Sequence, residues 1–498
     1  MKRFLAVDLG AESGRVMAGT VDGVGVTLEQ LHRFSNTPVR LPTGLYWDTL
    51  RLWHEIQEGL AVAGRQKGYT VDGIGVDTWG VDFGLLGGDG ALVDNPRHYR
   101  DARNNGMMER AFDVVPKERI YAETGLQFMQ INTLFQVYAL KLAGSAALRA
   151  ARSLVFMPDL FAYFLSGVIR AEQTIASTSQ FYNPATGGWA TGVLSALGIP
   201  AEILPQIVPA GARLGTLRGE VADASGLAAA TPVFATGGHD TASAVAAVPA
   251  ERPFAESGWC YISSGTWSLM GVELDAPVIN QRALELNFTN EIGVEGRVRL
   301  LKNIMGMWPL QECKRAWENV GRTYSYADLM EGAAVAAPFS AVIDPDAFLE
   351  PGHMPERIAA WAREHGETVP QDVGTFTRVI LESLALRYRQ VLETLEELTA
   401  RRIETIHILG GGSQNSLLNQ MVADCTGRVV VAGPTEATAA GNVLVQAMGA
   451  GMIGSLSELR RVVRRSFPLE TFKPRPGSGG AEWDAAYERF QKLQQGAA

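Results

Sequence analysis

At 498 residues the chain is longer than one hydrophobic core organises, and at about 100–200 residues per domain two or three domains are expected. With 46% hydrophobic and 19% charged residues, it has the composition of an ordinary globular protein. Its net charge of -9 argues against a general nucleic-acid binder, which needs a basic face, yet leaves room for a nucleotide, since a few backbone N–H groups and one metal ion hold phosphates locally.

In chain order, Phe4 to Val7 reads as a strand, Asp8-Leu9-Gly10-Ala11-Glu12-Ser13-Gly14-Arg15 as a turn, and Val16 to Val21 as a second strand. The tip carries what a phosphate chain needs: close backbone approach, N–H donors and a hydroxyl. Asp8 suits a magnesium ion held through water. A plain hairpin with a solvated tip is equally compatible. Ile74 to Phe83 begins as a buried strand and is interrupted by Asp77, Trp79 and Asp82. Acids and an aromatic ring at a strand end suit a polyol, with carboxylates accepting hydroxyl protons and the ring covering C–H bonds. A turn with solvated acids is the alternative. Tyr99-Arg100-Asp101-Ala102-Arg103 reads as a charged, solvated loop, and residues 106 to about 225 as alternating helical and irregular segments, with a helix stopping at Gly167.

Thr231 to Thr236 is an apolar run, Gly237-Gly238-His239-Asp240-Thr241 follows, and Ala242 to Val248 is alanine-rich. This is strand, glycine turn, helix start. The glycines admit a ligand to the backbone. Asp240 falls in the first helical turn, which favours its charged form, and is placed to take a proton from a substrate hydroxyl. As a residue type it also serves as a simple N-cap. Trp259 to Ile262, Ser263-Ser264-Gly265-Thr266 and Trp267 to Val272 form a second hairpin that echoes the first, a weak long-range duplication. Asn303 to Gln311 reads as the opening of a helix, and Thr375 to Leu398 as a long amphipathic helix with Ile380, Leu384, Tyr388, Val391, Leu395 and Leu398 at core spacing. Ile403 to Leu409 is a strand that runs into Gly410-Gly411-Gly412 and a helix from Ser416, a place for a ring or ribose against bare backbone. No Rossmann fingerprint or P-loop occurs. Thr435 to Asn442 starts a small-residue helix, Pro474 to Gly480 reads as a linker, and Trp483, Tyr487, Phe490 and Leu493 share one face of a terminal helix that docks back on the body.

Cys260, Cys313 and Cys425 are far apart and odd in number, so neither a disulfide framework nor a zinc site is expected, and a reducing cytoplasm fits. The seven histidines have no paired-ligand spacing. The N-terminus reaches Asp8 too soon for a signal peptide, and no apolar run approaches the roughly 18 residues of a membrane span. The expectation is a cytoplasmic monomer or small homo-oligomer with no nucleic-acid or membrane partner.

Together and in this order, the motifs resemble those of the FGGY family of sugar kinases. The blocks are Asp8 to Ala11 with Ser13 to Arg15, Asp77 to Phe83, Tyr99 to Asp101, His239 to Val245, Ser263 to Gly271 and Leu301 to Gly306. The resemblance spans residues 1 to about 450. It implies an α/β chain with the two-domain actin/hexokinase-like (ribonuclease H-like) fold and a cleft between domains. Residues 1–245 would form the N-terminal kinase domain, 255–450 the C-terminal one, and 451–498 an extension with a docking helix. It also implies ATP and magnesium, and phosphorylation of a ketose at its 1-hydroxyl. L-Rhamnulose is the substrate of the branch whose blocks match, with L-fuculose, xylulose or a non-catalytic actin-like protein as rivals. Residue by residue, Asp240 would be the general base. Gly80, His239, Asp240, Thr241 and Asn303, with Asp77 and Trp79, would meet the sugar. Ala11, Glu12, Ser13, Gly14, Arg15, Thr266, Gln311 and Gly411 would hold ATP, and Asp8 would orient magnesium through water. Glu12 stands where the family has a small residue, which puts a phosphate contact there in question. Ser413 replaces a frequent cysteine.

Overall fold

A computed structural model describes residues 1–477 and 480–495. Two compact units are built from interleaved segments. The first takes Met1–Glu251, Glu273–Leu300 and Ala437–Phe467, and the second Arg252–Val272, Leu301–Glu436 and Pro468–Ala498.

The first unit is built on β1 (Lys2–Leu9), β2 (Ser13–Val21), β3 (Val26–Ser35), β4 (Gly73–Thr78), β5 (Arg213–Thr216) and β6 (Pro232–Phe234), in the order β5-β6-β4-β1-β2-β3. β1 pairs antiparallel with β2 and parallel with β4, which is parallel to β6. Phe4, Leu5, Ala6, Val7 and Leu9 are buried without a gap, as a central strand covered on both faces requires. The β1–β2 turn is only three residues long, shorter than the eight that the sequence suggests. Gly14 is needed beside it, because an added Cβ would lie 2.5 Å from the Phe34 ring.

The helix Ala437–Gly449 covers this sheet. Its small residues let it approach the helix Asp240–Ala246. A Cβ on Gly441 would overlap the Ser243 carbonyl oxygen and come within 2.6 Å of its carbon.

A second sheet holds β7 (Trp259–Ser264), β8 (Trp267–Leu274), β9 (Val298–Met305), β10 (Thr405–Leu409), β11 (Val429–Ala432) and β12 (Glu470–Phe472), in the order β9-β8-β7-β10-β11-β12, with the short strand Thr289–Ile292 on the outer side of β9. β7 is antiparallel to β8 and parallel to β10, which is parallel to β11. The order β9-β8-β7-β10-β11 repeats β3-β2-β1-β4-β6 of the first unit. The duplication hinted at by the two hairpins is a duplication of sheet topology. Asn303 lies inside β9, and the helix after it begins only at Trp308.

The helix Val373–Thr399 carries its predicted stripe inward, with Ile380, Leu384, Tyr388, Val391 and Leu395 buried. The terminal helix Gly480–Gln495 packs on it, with the Tyr487 hydroxyl donating to Glu393 Oε2 at 2.6 Å, and buries Trp483, Tyr487 and Phe490, Trp483 edge-on to Phe339. Of the linker read at Pro474 to Gly480, Ser478 and Gly479 lie outside the described residues. Cys260, Cys313 and Cys425 are buried free thiols. Among the described residues no helix is long and apolar enough to cross a membrane.

Candidate active site

In the first unit β1, β4 and β6 run parallel, so the loops after Leu9, Thr78 and Phe234 leave the same edge of the sheet. Ligands of open α/β sheets lie beyond such carboxyl ends. Gly10 to Arg15, Asp77 to Gly80 and Gly237 to Thr241 therefore share one neighbourhood.

Asp240 opens its helix. Its Oδ1 accepts from the Thr241 backbone N–H at 2.5 Å and from the Thr241 hydroxyl at 3.1 Å, and lies 3.5 Å from His239 Nε2. All three contacts fall on Oδ1 and none on Oδ2. The side chain is 30% exposed, yet the protein displaces most of the surrounding water. Burial, and next among the acids Asp8, raise its pKa above the ordinary carboxylate range against the lowering pull of His239.

The loop carrying Asp240 is clamped from behind. Glu172 Oε2 accepts from the Gly238 N–H at 3.0 Å and from the Thr174 hydroxyl at 2.5 Å, and the Thr174 oxygen accepts from the His239 N–H at 3.2 Å. Burial pushes the Glu172 carboxyl up to about 6. Gly80 lies beside His239: a Cβ there would stand 3.5 Å from His239 Nε2.

Asp8 and Asp77 are register partners on β1 and β4. Asp8 Oδ2 accepts from Arg15 at 2.5 Å, and Asp77 Oδ2 from Asn442 at 2.5 Å. Asp77 Oδ1 is buried with no hydrogen-bond partner. Burial first, then repulsion from Asp8, raises the Asp77 pKa well above its usual value. Two adjacent carboxylates that repel each other form a place a cation would relieve. Among the described residues no three-ligand metal cluster is closed by protein alone.

Trp79 lies in the core. Its ring is 4.0 Å from that of Trp47, and its indole N–H donates to Asp82 Oδ2 at 3.0 Å. Asp82 also accepts from the Trp47 indole at 2.6 Å and from Gln136 at 2.9 Å. Asp82 and Trp79 thus serve each other and the fold, where the sequence grouped them with a polyol. The Tyr99 to Arg103 loop differs from its solvated reading too. Asp101 is buried and accepts from the Leu45 N–H at 2.5 Å, and Tyr99 is buried as well. Ala11, Glu12 and Ser13 sit at the β1–β2 turn, with Glu12 exposed, its carbonyl accepting from the Asn36 N–H at 2.9 Å.

In the second unit β7 and β10 are also parallel, so the Ser263–Thr266 tip and the Gly410–Gly412 turn leave one sheet edge. The tip is tied to the next helix. The Met307 N–H donates to the Gly265 carbonyl at 3.1 Å and the Trp308 N–H to that of Thr266 at 3.2 Å. Gln311 stands one turn into that helix, and its Oε1 is buried without a partner. A Cβ on Gly412 would strike Ser264, while one on Gly411 would meet nothing within 4 Å. Thr266, Gln311 and Gly411 thus cluster at one end of this unit, and Asn303 lies on β9.

The sequence reading assigns no role at the site to Glu172, Thr174, Glu291, Arg299 or Asn442. Only the Glu172-x-Thr174 pair, ahead of a short helix, carries a local capping signal.

Two family models match the chain. The N-terminal domain of the FGGY family of carbohydrate kinases matches residues 3–247 and its C-terminal domain matches residues 260–450. A rhamnulokinase of Bacteroides thetaiotaomicron is 46% identical, over 98% of this chain and 99% of that protein. A rhamnulokinase of Oceanobacillus iheyensis is 39% identical, over 94% of this chain and 97% of that protein. The crystal structure of gluconate kinase from Lactobacillus acidophilus has a TM-score of 0.80 at 15% identity, covering 99% of this chain and 98% of that one, which speaks to the fold.

Proposed function

Because the chain belongs to the FGGY family of carbohydrate kinases, we propose that it transfers the γ-phosphoryl group of ATP to the 1-hydroxyl of L-rhamnulose, giving L-rhamnulose 1-phosphate and ADP in L-rhamnose catabolism. Near full-length similarity to proteins named rhamnulokinase supports the substrate. The observation that carries the chemistry is the carboxylate of Asp240, with Oδ1 committed to Thr241 and Oδ2 left open.

Phosphoryl transfer asks the protein for in-line placement and charge stabilisation rather than covalent work. Asp240 Oδ2 accepts the proton of the 1-hydroxyl as the oxygen attacks. The raised pKa of Asp240 makes it a stronger base than an exposed aspartate. Thr241 fixes the rotation of the carboxylate. Gly80 leaves room beside His239 for a sugar hydroxyl; of the other residues assigned to the sugar, Asp77 lies near the end of the strand that precedes Gly80, while Trp79 is tied to Trp47 and Asp82 in the core. In the second unit Asn303 is assigned to the sugar and Thr266, Gln311 and Gly411 to ATP; in the first unit Ala11, Ser13, Gly14 and Arg15 are assigned to ATP. The buried, unpartnered Oε1 of Gln311 accepts a ligand N–H or hydroxyl. Glu12, exposed on the turn, contributes its backbone. Asp8, with Asp77 beside it, fits magnesium held through water, and when bound the ion neutralises phosphate charge. The enzyme works in the cytoplasm as a monomer or small homo-oligomer.

The test is Asp240→Asn, which keeps the shape and removes the base. We expect ATP binding and melting temperature close to wild type and a kcat lower by about 10²–10⁴-fold. Near wild-type kcat in a correctly folded variant would reduce Asp240 to a helix-opening residue.

A further inference from the structure

His239 lies between two acids and one cation. Its Nε2 is 3.5 Å from Asp240 Oδ1, and its Nδ1 is 3.2 Å from Glu291 Oε2 and 3.3 Å from Arg299 Nη2. Which of the latter two holds the ring follows from counting hydrogens. Arg299 Nη2 carries two. Glu291 Oε2 at 3.0 Å and the Ile292 carbonyl at 3.1 Å both lie nearer to it than the imidazole does. The two nearer oxygens compete for both hydrogens, so the contact to Nδ1 is at most a shared one, and an imidazole protonated at Nδ1 is within reach to donate to Glu291 Oε2.

Glu291 stands on the short strand Thr289–Ile292 and Arg299 on β9. The Arg299 side chain is 0% exposed, that of Glu291 5%. Burial alone would raise the Glu291 pKa, but Arg299 and His239 outweigh it, so the acid stays ionised. A buried ion pair is a weak source of stability beside an apolar pair of the same size. Its placement against a substrate-handling ring is what needs explaining.

We propose that Glu291, held by Arg299, is a positioning residue that commits the Nδ1–H of His239 and so presents Nε2 to Asp240 and to a hydroxyl of the ketose. This rests on the reading of His239 and Asp240 as the sugar-handling pair. Glu291 touches no reacting atom. It acts by fixing which ring nitrogen faces the substrate, as the second partner of an active-site histidine does.

The experiment is a double-mutant cycle on the full chain with Glu291→Gln and His239→Ala. It is read by calorimetric affinity for L-rhamnulose, kcat, and KM for ATP. We expect Glu291→Gln alone to weaken the calorimetric affinity for the ketose by about tenfold, and to add less than about twofold in the His239→Ala background. KM for ATP should stay within about twofold of wild type in both. An equal loss in both backgrounds means that Glu291 acts on the fold and not through His239, and overturns the proposal.

Wild-type protein labelled with ¹⁵N-histidine, with the signal assigned by its loss in His239→Ala, gives a second reading that needs no folded Glu291 variant. Nδ1 should be protonated, whatever the state of Nε2. A bare Nδ1 would overturn the proposal. If Asp240→Asn kept its turnover, the base assignment would fail while the Glu291–His239 coupling in ketose affinity would remain, so the two readings fail separately.

Discussion

Gly441→Ala should be destructive, although the same change in most helix interiors is favourable. Alanine is a better helix former than glycine by about 0.8–1 kcal/mol. Here the added methyl has nowhere to go. It would overlap the Ser243 carbonyl oxygen and stand 2.6 Å from its carbon and 3.1 Å from its Cα. Carbon atoms pack at about 3.5–4.0 Å, so the two helices must part by about 1 Å. Overpacking costs about 1–3 kcal/mol and more where nothing can yield. Backbone against backbone sits at the upper end, so the net loss is about 2 kcal/mol even after the helical gain. Ser243 is three residues beyond Asp240 on one short helix, and a shift of about 1 Å in a reacting group costs about 10²-fold. Urea denaturation and steady-state kinetics read the two effects. Gly219→Ala is the control. It sits in the helix Gly219–Ser225, its added Cβ meets nothing within 4 Å, and it should be neutral or stabilising by up to about 1 kcal/mol. A Gly441→Ala enzyme as stable and as active as wild type would refute the close-packing argument.

Two further predictions concern charge. Asp240 must be ionised to act, and burial together with Asp8 raises its pKa. Turnover should therefore fall as pH drops through a midpoint above the usual aspartate value of about 3.9; a kcat/KM profile flat down to pH 4 would contradict this. Asp77 also has its folded pKa raised, by burial and by Asp8. Its contribution to stability is present below the unfolded pKa and lost as pH rises through the folded one. Asp77→Asn should accordingly raise the melting temperature at pH 7.5 by at least about 2 °C, with the gain shrinking toward pH 4, while turnover falls. A melting temperature lowered at neutral pH would argue that Asp77 is ionised and well paired in the fold.

How much of this was legible in the sequence depends on chain distance. Glycine punctuates locally, so the turns at Gly10, Gly237-Gly238, Gly265 and Gly410 to Gly412 are visible as strand, turn and strand or helix. The order of the motifs made the two-domain fold legible through family resemblance. What was hidden lies far away in the chain. Glu172 reaches Gly238 across 66 residues, Arg299 reaches His239 across 60, and Asn442 reaches Asp77 across 365. None of these pairs has a spacing that a local pattern could carry. Charged letters misled in the other direction. Asp82 and Asp101 read as solvated or ligand-facing acids, yet both are buried and collect N–H donors from the fold itself. Asn303 to Gln311 read as the opening of a helix, but β9 runs on to Met305 first and the helix begins at Trp308.

The most direct test of the central claim is ADP release across L-rhamnulose, L-fuculose, L- and D-xylulose, D-fructose and glycerol, with the product position read by ³¹P–¹H correlation. L-Rhamnulose and L-fuculose both carry a methyl where D-fructose carries a hydroxymethyl, a difference for which an apolar wall gives only about 1–3 kcal/mol, whereas a mismatched hydroxyl leaves a buried polar group unpaired and costs more. The account predicts the highest kcat/KM for L-rhamnulose, phosphate on O1, some leakage to ketoses of like stereochemistry and little to glycerol. A higher kcat/KM for glycerol or D-xylulose, or phosphate on another oxygen, would contradict it.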